Sequence, residues 1–572
     1  MPHLSTWLTS PLLPAAVLVG GALLVWLARR FLPLRWPAVP VIHSALPALS
    51  VLIAIVAVWS LRQPTSASRF LLIFPPTLGM DLTLRVQLDE WGRLFGLSLL
   101  WPALVVAGLS LAGFPSDAGN VADPPAWPQW LLLLAAAHVT LAAADWLTLA
   151  ALLVLFDIAY LAIAAHQNER GWGFLANGVG GLAILVAGFT LSLGDHSLAL
   201  AGGKPLPPTA ALLTAAAALV RLAPYPLHFW LPDPQEMPLP AWRWPVRLLP
   251  AVVGLYLMTR LTPLLGGSMP MARLALIAGI VGCLAAALLA WFSAQHEPGQ
   301  AIPFIALYQT NLTLLGWAVL GEPLTGFWMA LNLILGTTAL AMRRAWRDSG
   351  DGEPLTWWSA VPDGVAIAAL AGLPLTVGLF ARLPMYGALL ANRRAGWLAL
   401  LLLAEGALVT TLLRVWGGLK PGTFTWQREG KRPPWSLWGA TALLAVPLLI
   451  LGLRPSLAAW LAGDPSSEGL LALPTLGQLA QAGIGPWAAF LLPLVMGYGI
   501  YRGELAWPDE MADVEARLAS VLRLGWLHRA IAQLLGQMRQ ALWSVSAVLH
   551  GEGYLAWVAF SLLLIFLLVL NR

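Results

Sequence analysis

Only one cysteine, Cys283, stands in 572 residues, which excludes an internal disulfide and any cysteine-held zinc or iron–sulfur centre. Charge is scarce too. Asp, Glu, Lys and Arg make up 10% of the chain, where soluble proteins carry about 25%, and no stretch is long and polar enough for a soluble domain. The sequence lacks a phosphate-cradling Gly-rich loop, a paired-histidine metal motif and a GxSxG turn, so no catalytic residue, cofactor or metal is expected in this chain. Basic patches interleaved with aromatics are absent. The formal charge of +5 therefore does not point to nucleic acid, since Lys and Arg collect in the cytoplasmic loops of membrane proteins. The N-terminal MPHLSTWLTSPLLPAAVLVGG has no basic n-region, and its apolar run continues to Trp26 before meeting Arg29 and Arg30. That reads as an uncleaved first span.

What is abundant is apolar sequence, 59% of the residues, and the expectation is an all-α, polytopic integral membrane protein. A span needs about 20 mostly apolar residues. Runs of that kind lie near 10–28, 38–61, 94–113, 129–143, 147–165, 174–193, 208–224, 245–262, 271–292, 301–320, 325–342, 361–381, 395–416, 436–453, 485–501 and 553–571, about sixteen in all. Arg29, Arg30 and Arg35 after the first run, and Lys420, Arg428, Lys431 and Arg432 after the thirteenth, place that side in the cytoplasm and both termini outside. Arg393 and Arg394 fall on the opposite side. Thirty tryptophans suit interfacial belts, with some inside the bundle. Cys283 is expected to pack as a small apolar residue.

Met511 to Val545 has a different pattern. Val514, Leu518, Val521, Leu524, Leu527, Ile531, Leu534, Met538, Leu542 and Val545 recur at helical steps, with Arg517, Arg523, Arg529, Gln533, Gln537 and Gln540 on other faces. This predicts an amphipathic helix on the order of 50 Å long, too polar to span. The expected layout is N-terminal spans and loop (1–92), a core bundle (93–420), C-terminal spans (421–510), the amphipathic helix (511–550) and a terminal anchor (551–572).

The densest signal is ALVRLAPYPLHFWLPDPQEMPLP, Ala218 to Pro240, which puts Arg221, His228, Asp233, Glu236 and six prolines into or beside a span. A broken helix is tolerated in lipid only where its freed backbone groups face protein or water. An ionisable residue at that depth points to function, commonly an ion pathway. Asp157 in LLVLFDIAYLAI, Arg382, Glu405 and His138 are further ionisable residues inside or beside runs.

The Ala218–Arg260 stretch resembles the broken seventh helix and following loop of the antiporter-like membrane subunits of respiratory complex I and its relatives. Those relatives include multi-subunit cation/proton antiporters and membrane-bound hydrogenases. VQLDEWGRLF (Val86–Phe95), AGLPLTVGLFARLPMYG (Ala371–Gly387) and TTLLRVWGG at the end of the thirteenth run are similar to further segments of that family. A lateral helix before a final span is similar to its largest member.

The resemblance implies two broken helices, partner membrane subunits, a prokaryotic inner-membrane location and proton or monovalent-cation movement along a mid-membrane polar axis. Any redox chemistry would belong to partner subunits. In the family that axis uses a lysine in the seventh helix paired with a glutamate in the fifth, lysine or histidine in the eighth, and lysine or glutamate in the twelfth. Here the seventh- and twelfth-helix positions are Arg221 and Arg382, which stay protonated. The eighth-helix positions are Val246 and Val252, with Arg243 and Arg247 nearby as snorkelling candidates.

Counting from Ala144–Asp145 puts the fifth-helix glutamate near Val154 or Leu155, and a two-residue shift turns a side chain about 200° around a helix. Either Asp157 takes over that role or the glutamate is gone; the cost of an unpaired aspartate in lipid favours the first. Glu405 is a partner for Arg382 or a pathway group. His138 lines the axis or is a satisfied interior histidine. His228 and Asp233 are expected mainly to fix the helix break. Three functions stay open: ion translocation through Asp157, Arg221, Arg382 and Glu405; a degenerate paralogue with a structural or coupling role; and a membrane partner in inorganic-carbon uptake.

Overall fold

The computed structural model describes residues 10–32, 39–61, 69–73, 83–111, 126–166, 172–193, 200, 205–228, 243–265, 272–349, 360–417, 435–462, 483–503, 512–527, 529–530, 533–534, 536–537 and 540. They form two units, Met1–Ala512 and Asp513–Arg572.

The first unit is a helix bundle. Its helices are α1 (Leu13–Phe31), α2 (Val39–Ser60), α3 (Glu90–Leu111), α4 (Trp127–Leu141), α5 (Trp146–His166), α6 (Trp172–Leu193), α7 (Pro208–Leu222), α8 (Arg243–Leu261), α9 (Ala272–His296) and α10 (Ile302–Leu320). Then come α11 (Pro323–Leu331), a π turn at Asn332–Gly336, α12 (Thr337–Ser349), α13 (Val361–Ala371), α14 (Val377–Ala391), α15 (Ala395–Gly417), α16 (Trp435–Leu453), the short α17 (Ser456–Ala462) and α18 (Ile484–Arg502). Among the described residues, ten segments are long and apolar enough to cross a membrane. The protein is an integral, multi-pass membrane protein.

Local sequence explains many of the ends. Pro stands in the first turn of α1, α4, α7, α10, α11 and α13, where its missing N–H has no intrahelical partner to lose. Gly321 and Gly372 close α10 and α13 with positive φ, which glycine adopts without strain. Burial sorts centre from rim: 94% of the Thr325–Arg344 span and 89% of Pro298–Leu320 lie inside the bundle, against 22% of α18. α10 is therefore surrounded by protein, and its polar run Tyr308–Gln309–Thr310–Asn311 is wholly buried.

One element lies outside the all-α expectation. Arg69–Ile73 (β1) and Thr83–Val86 (β2) pair antiparallel, with Phe70 opposite Arg85, Leu72 opposite Leu84 and a bulge between. β2 is fastened to the α4–α5 connection by Gln87 N–H to Ala142 O and Ala144 N–H to Arg85 O. Asp145 accepts from the Thr148 N–H and hydroxyl, capping α5, and also from the Arg85 N–H. This cap sets the rotation of α5 and hence where its buried face falls.

α7 and α8 approach most closely at Gly254, where an added Cβ would lie 2.5 Å from Leu222 N and 3.0 Å from Ala218 O. Backbone cannot retreat as a flexible side chain can. Gly254→Ala is expected to cost about 1–3 kcal/mol by overpacking, outweighing the gain of up to about 1 kcal/mol in helix propensity. Thermal unfolding in detergent reads it, and an unchanged midpoint would contradict the close approach.

The second unit contains α19 (Ala512–Leu522). The continuous helix expected from Met511 to Val545 is interrupted: Arg523 and Leu524 form a turn, Leu524 has φ 51°, and helical residues resume at Gly525. Helical spacing of apolar residues continues across the turn, so periodicity alone did not reveal it. The part of that segment after Gln540 and the expected last span lie outside the described residues.

Candidate functional site

Two arginine–carboxylate pairs lie in the bundle interior, each beside a helix break. In the first, Arg221 Nη1 and Nη2 donate to Asp157 Oδ1 and Oδ2 at 2.8 and 2.7 Å. Arg221 is fully buried and Asp157 2% exposed. Arg221 Nη2 also reaches the Asn177 carbonyl of α6 at 3.2 Å. Gly181, one turn on, leaves room for the pair, since a Cβ there would sit 3.9 Å from both groups.

Val154 and Leu155 are 50% and 49% exposed on the outer face, while Asp157 turns inward to Arg221. Bidentate geometry of this kind is the strong form of the interaction.

In the second pair, Arg382 Nε donates to Glu405 Oε1 at 3.1 Å, and Tyr386 donates its hydroxyl to Glu405 Oε2. Tyr308 and Cys283 lie within electrostatic reach of the same carboxylate. Cys283 is buried, as expected, but faces this polar pair rather than a purely apolar wall.

The breaks themselves follow from proline. Pro374 has no N–H to give the Leu370 carbonyl, so that oxygen is freed at the end of α13. It is taken by Arg382 Nη2 at 2.5 Å and Gln309 Nε2 at 3.2 Å. Gly372, at φ 80°, faces the Arg382 side chain, and Leu375 follows at φ 68°. At the other break Ala223 has φ 49°, and the Tyr225 N–H turns away from its helix to donate to Asn311 Oδ1 at 3.1 Å. Non-glycine residues at positive φ cost about 1–3 kcal/mol and persist only where surroundings hold them.

α10 thus serves both breaks, through Gln309 and Asn311. Sequence reading did not single these out, although a polar run YQTN inside an apolar span was the available signal. Asn332, in the π turn, is also buried, and its amide makes no hydrogen bond among the described residues. Arg343 and Asp363 form a further buried pair between α12 and α13.

The other expected residues fall as follows. His138 is buried in α4 against Gly96, with neither ring nitrogen hydrogen-bonded among the described residues. His228 is buried and stacks on Tyr225 at 5.3 Å, directly after the break. Arg243 and Arg247 are half-buried in the first turns of α8. Val246 and Val252 are buried. Asp233 and Glu236 lie outside the described residues. Among the described residues, no group of three or more His, Cys, Asp or Glu is placed to hold a metal ion.

No family model matches the chain. It is 26% identical to the A/B component of a probable K(+)/H(+) antiporter of Rhizobium meliloti (strain 1021), over 54% of this chain and 33% of that protein. The chain thus spans about a third of the length of that relative. Among solved structures, a chain of the Mrp complex from Dietzia sp. DQ12-45-1b superposes with TM-score 0.65 at 20% identity, covering 96% of this chain and 63% of that one. A chain of the membrane-bound sulfane sulfur reductase, an archaeal respiratory membrane complex, superposes with TM-score 0.59 at 19% identity, covering 83% and 99%. The chain therefore has the fold of these two membrane-complex chains.

Proposed function

We propose that this chain is a membrane subunit of a multi-subunit ion-translocating assembly in a prokaryotic inner membrane, and that it contributes to movement of protons or monovalent cations. The observation that supports this most is the buried polar line through α10: Asp157–Arg221 beside one break, Asn311 on that break's free N–H, Gln309 on the other break's free carbonyl, then Arg382–Glu405. The likeness to an antiporter component and to chains of two membrane complexes agrees with it.

Arginine cannot release its proton at physiological pH, so Asp157 and Glu405 are the exchanging groups and the arginines are fixed charges that hold them ionised. A proton arriving on Asp157 removes the attraction that holds Arg221 and frees the pair to rearrange. Water carries protons between the two pairs, because Val246 and Val252 offer no relay on α8. Those valines favour a second reading, a structural or coupling role in a chain that no longer pumps.

The test is proton flux in liposomes carrying the chain with its co-purifying subunits. Arg221→Lys is expected to preserve the flux, because lysine keeps a cation beside Asp157. Complete loss would mean that the bidentate guanidinium contact, and not a cation as such, is required, and no flux in the unaltered protein would favour the structural reading. Mass spectrometry of the co-purifying chains identifies the assembly: membrane subunits are expected, whereas a soluble partner alone would favour inorganic-carbon uptake.

A further inference from the structure

One turn above Gln309 on α10, a small, partly open cavity lies between the last turns of α8 and α10 and the start of α11. Met258, Thr259 and Thr262 line it from α8 and the turn that follows, Thr313 and Trp317 from α10, and Glu322, Pro323, Thr325 and Gly326 from the α10–α11 connection and α11. None of these residues belongs to the two ion pairs or to the helix breaks.

The chemistry of the lining is one-sided. Thr259 donates its hydroxyl to Leu255 O, Thr262 to Met258 O and Thr313 to Gln309 O. With their hydrogens committed, these hydroxyls can present only lone pairs to the cavity, and Thr262 already accepts from Trp317 Nε1 at 2.9 Å. Glu322, exposed at the mouth of the cavity, adds a carboxylate whose pKa partial desolvation raises. No cation pairs with it among the described residues, and Arg260, the nearest arginine along α8, is taken by Asp89 at 2.5 Å and by Tyr256.

The last turns of α8 and α10, where the helix dipole leaves partial negative charge, border the space. The N-terminus of α11 opposes them, with Glu322 beside it. An anion has little to bind here. A divalent cation would need more than one carboxylate to offset its dehydration.

We infer that this cavity is a binding site for a single dehydrated monovalent alkali cation, held by the Thr259, Thr262, Thr313 and Thr325 hydroxyl oxygens and the Glu322 carboxylate. Thr313 connects it to the buried line, since its hydroxyl bonds to the Gln309 carbonyl. The site is a property of binding and stands apart from the transport reading.

The experiment is thermal unfolding of the full chain with its co-purified subunits, followed by tryptophan fluorescence in NaCl, KCl or LiCl against choline chloride at equal ionic strength. A saturable rise in midpoint with at least one alkali cation is expected. Thr313→Val and Glu322→Gln should each raise the half-saturating concentration about tenfold or more, as a charged or direct ligand worth about 1.4 kcal/mol would. Thr310→Val, a buried α10 hydroxyl outside the cavity, should leave it unchanged and controls for folding. No saturable effect in the unaltered protein, or half-saturation in Thr313→Val and Glu322→Gln equal to that of the unaltered protein, overturns the site and leaves a cavity that holds water only. Saturable binding without flux would sink the transport reading and keep the site; flux indifferent to these variants and to the cation would do the reverse.

Discussion

Asp157→Asn is expected to destabilise the protein by about 3–5 kcal/mol, because it leaves Arg221 charged and buried with no counter-ion. The lost pair is bidentate and fully enclosed by α5, α6 and α7, so solvent screening gives no relief. The Asn177 carbonyl keeps one hydrogen bond to the guanidinium, which offsets only part of the loss. The measurement is thermal unfolding in detergent beside the double variant Asp157→Leu with Arg221→Met. Removing both charges is expected to recover most of the stability, since replacing a buried pair by apolar groups is often neutral. Flux should be lost in both. If the double variant still moved protons, the pair would be structural and the path would lie elsewhere. If Asp157→Asn melted like the parent protein, Arg221 would have another partner.

Glu405→Gln should lower flux more than tenfold with a smaller stability cost than Asp157→Asn. The reason lies in the partners that remain. Arg382 keeps the Leu370 carbonyl at 2.5 Å, and the Tyr386 hydroxyl still has an amide oxygen to donate to. The guanidinium nevertheless loses its only carboxylate within ion-pair distance among the described residues. About 2–3 kcal/mol is the expected cost, between a lost hydrogen bond to a charged group and a broken buried pair. Glutamine cannot take up and release a proton at this position, so the flux loss should appear even where unfolding is mild. Normal flux in Glu405→Gln would remove Glu405 from the pathway and leave it as the anchor of the α14–α15 packing.

Much of this was legible along the chain. The apolar runs from 10–28 through 485–501 each correspond to helix in the described residues, because a span must be apolar over its whole length whatever it packs against. The two breaks were marked by proline, whose effect on its own backbone is local. Asp157, Arg221, Arg382 and Glu405 stood out because charge is rare in such runs. The β1–β2 pair and the turn at Arg523–Leu524 were not visible, since strands of five and four residues or one left-handed residue leave little trace in an apolar or amphipathic pattern.

What the residues alone determined was therefore a multi-pass helical membrane protein with two broken helices and a few costly charges inside it. Which charge meets which was decided only by the tertiary structure. Asp157 and Arg221 are 64 positions apart, and Gln309 and Asn311 reach breaks more than 60 positions away on either side. The threonine cavity gathers ordinary hydroxyls from three helices and a connecting turn. A helix rotation of one residue moves a side chain about 100°, so spacing within one element fixes a face but not its partner. Close packing of α7 against α8 at Gly254, and of α9 against Asn311 of α10 at Gly282, helped to choose the partners.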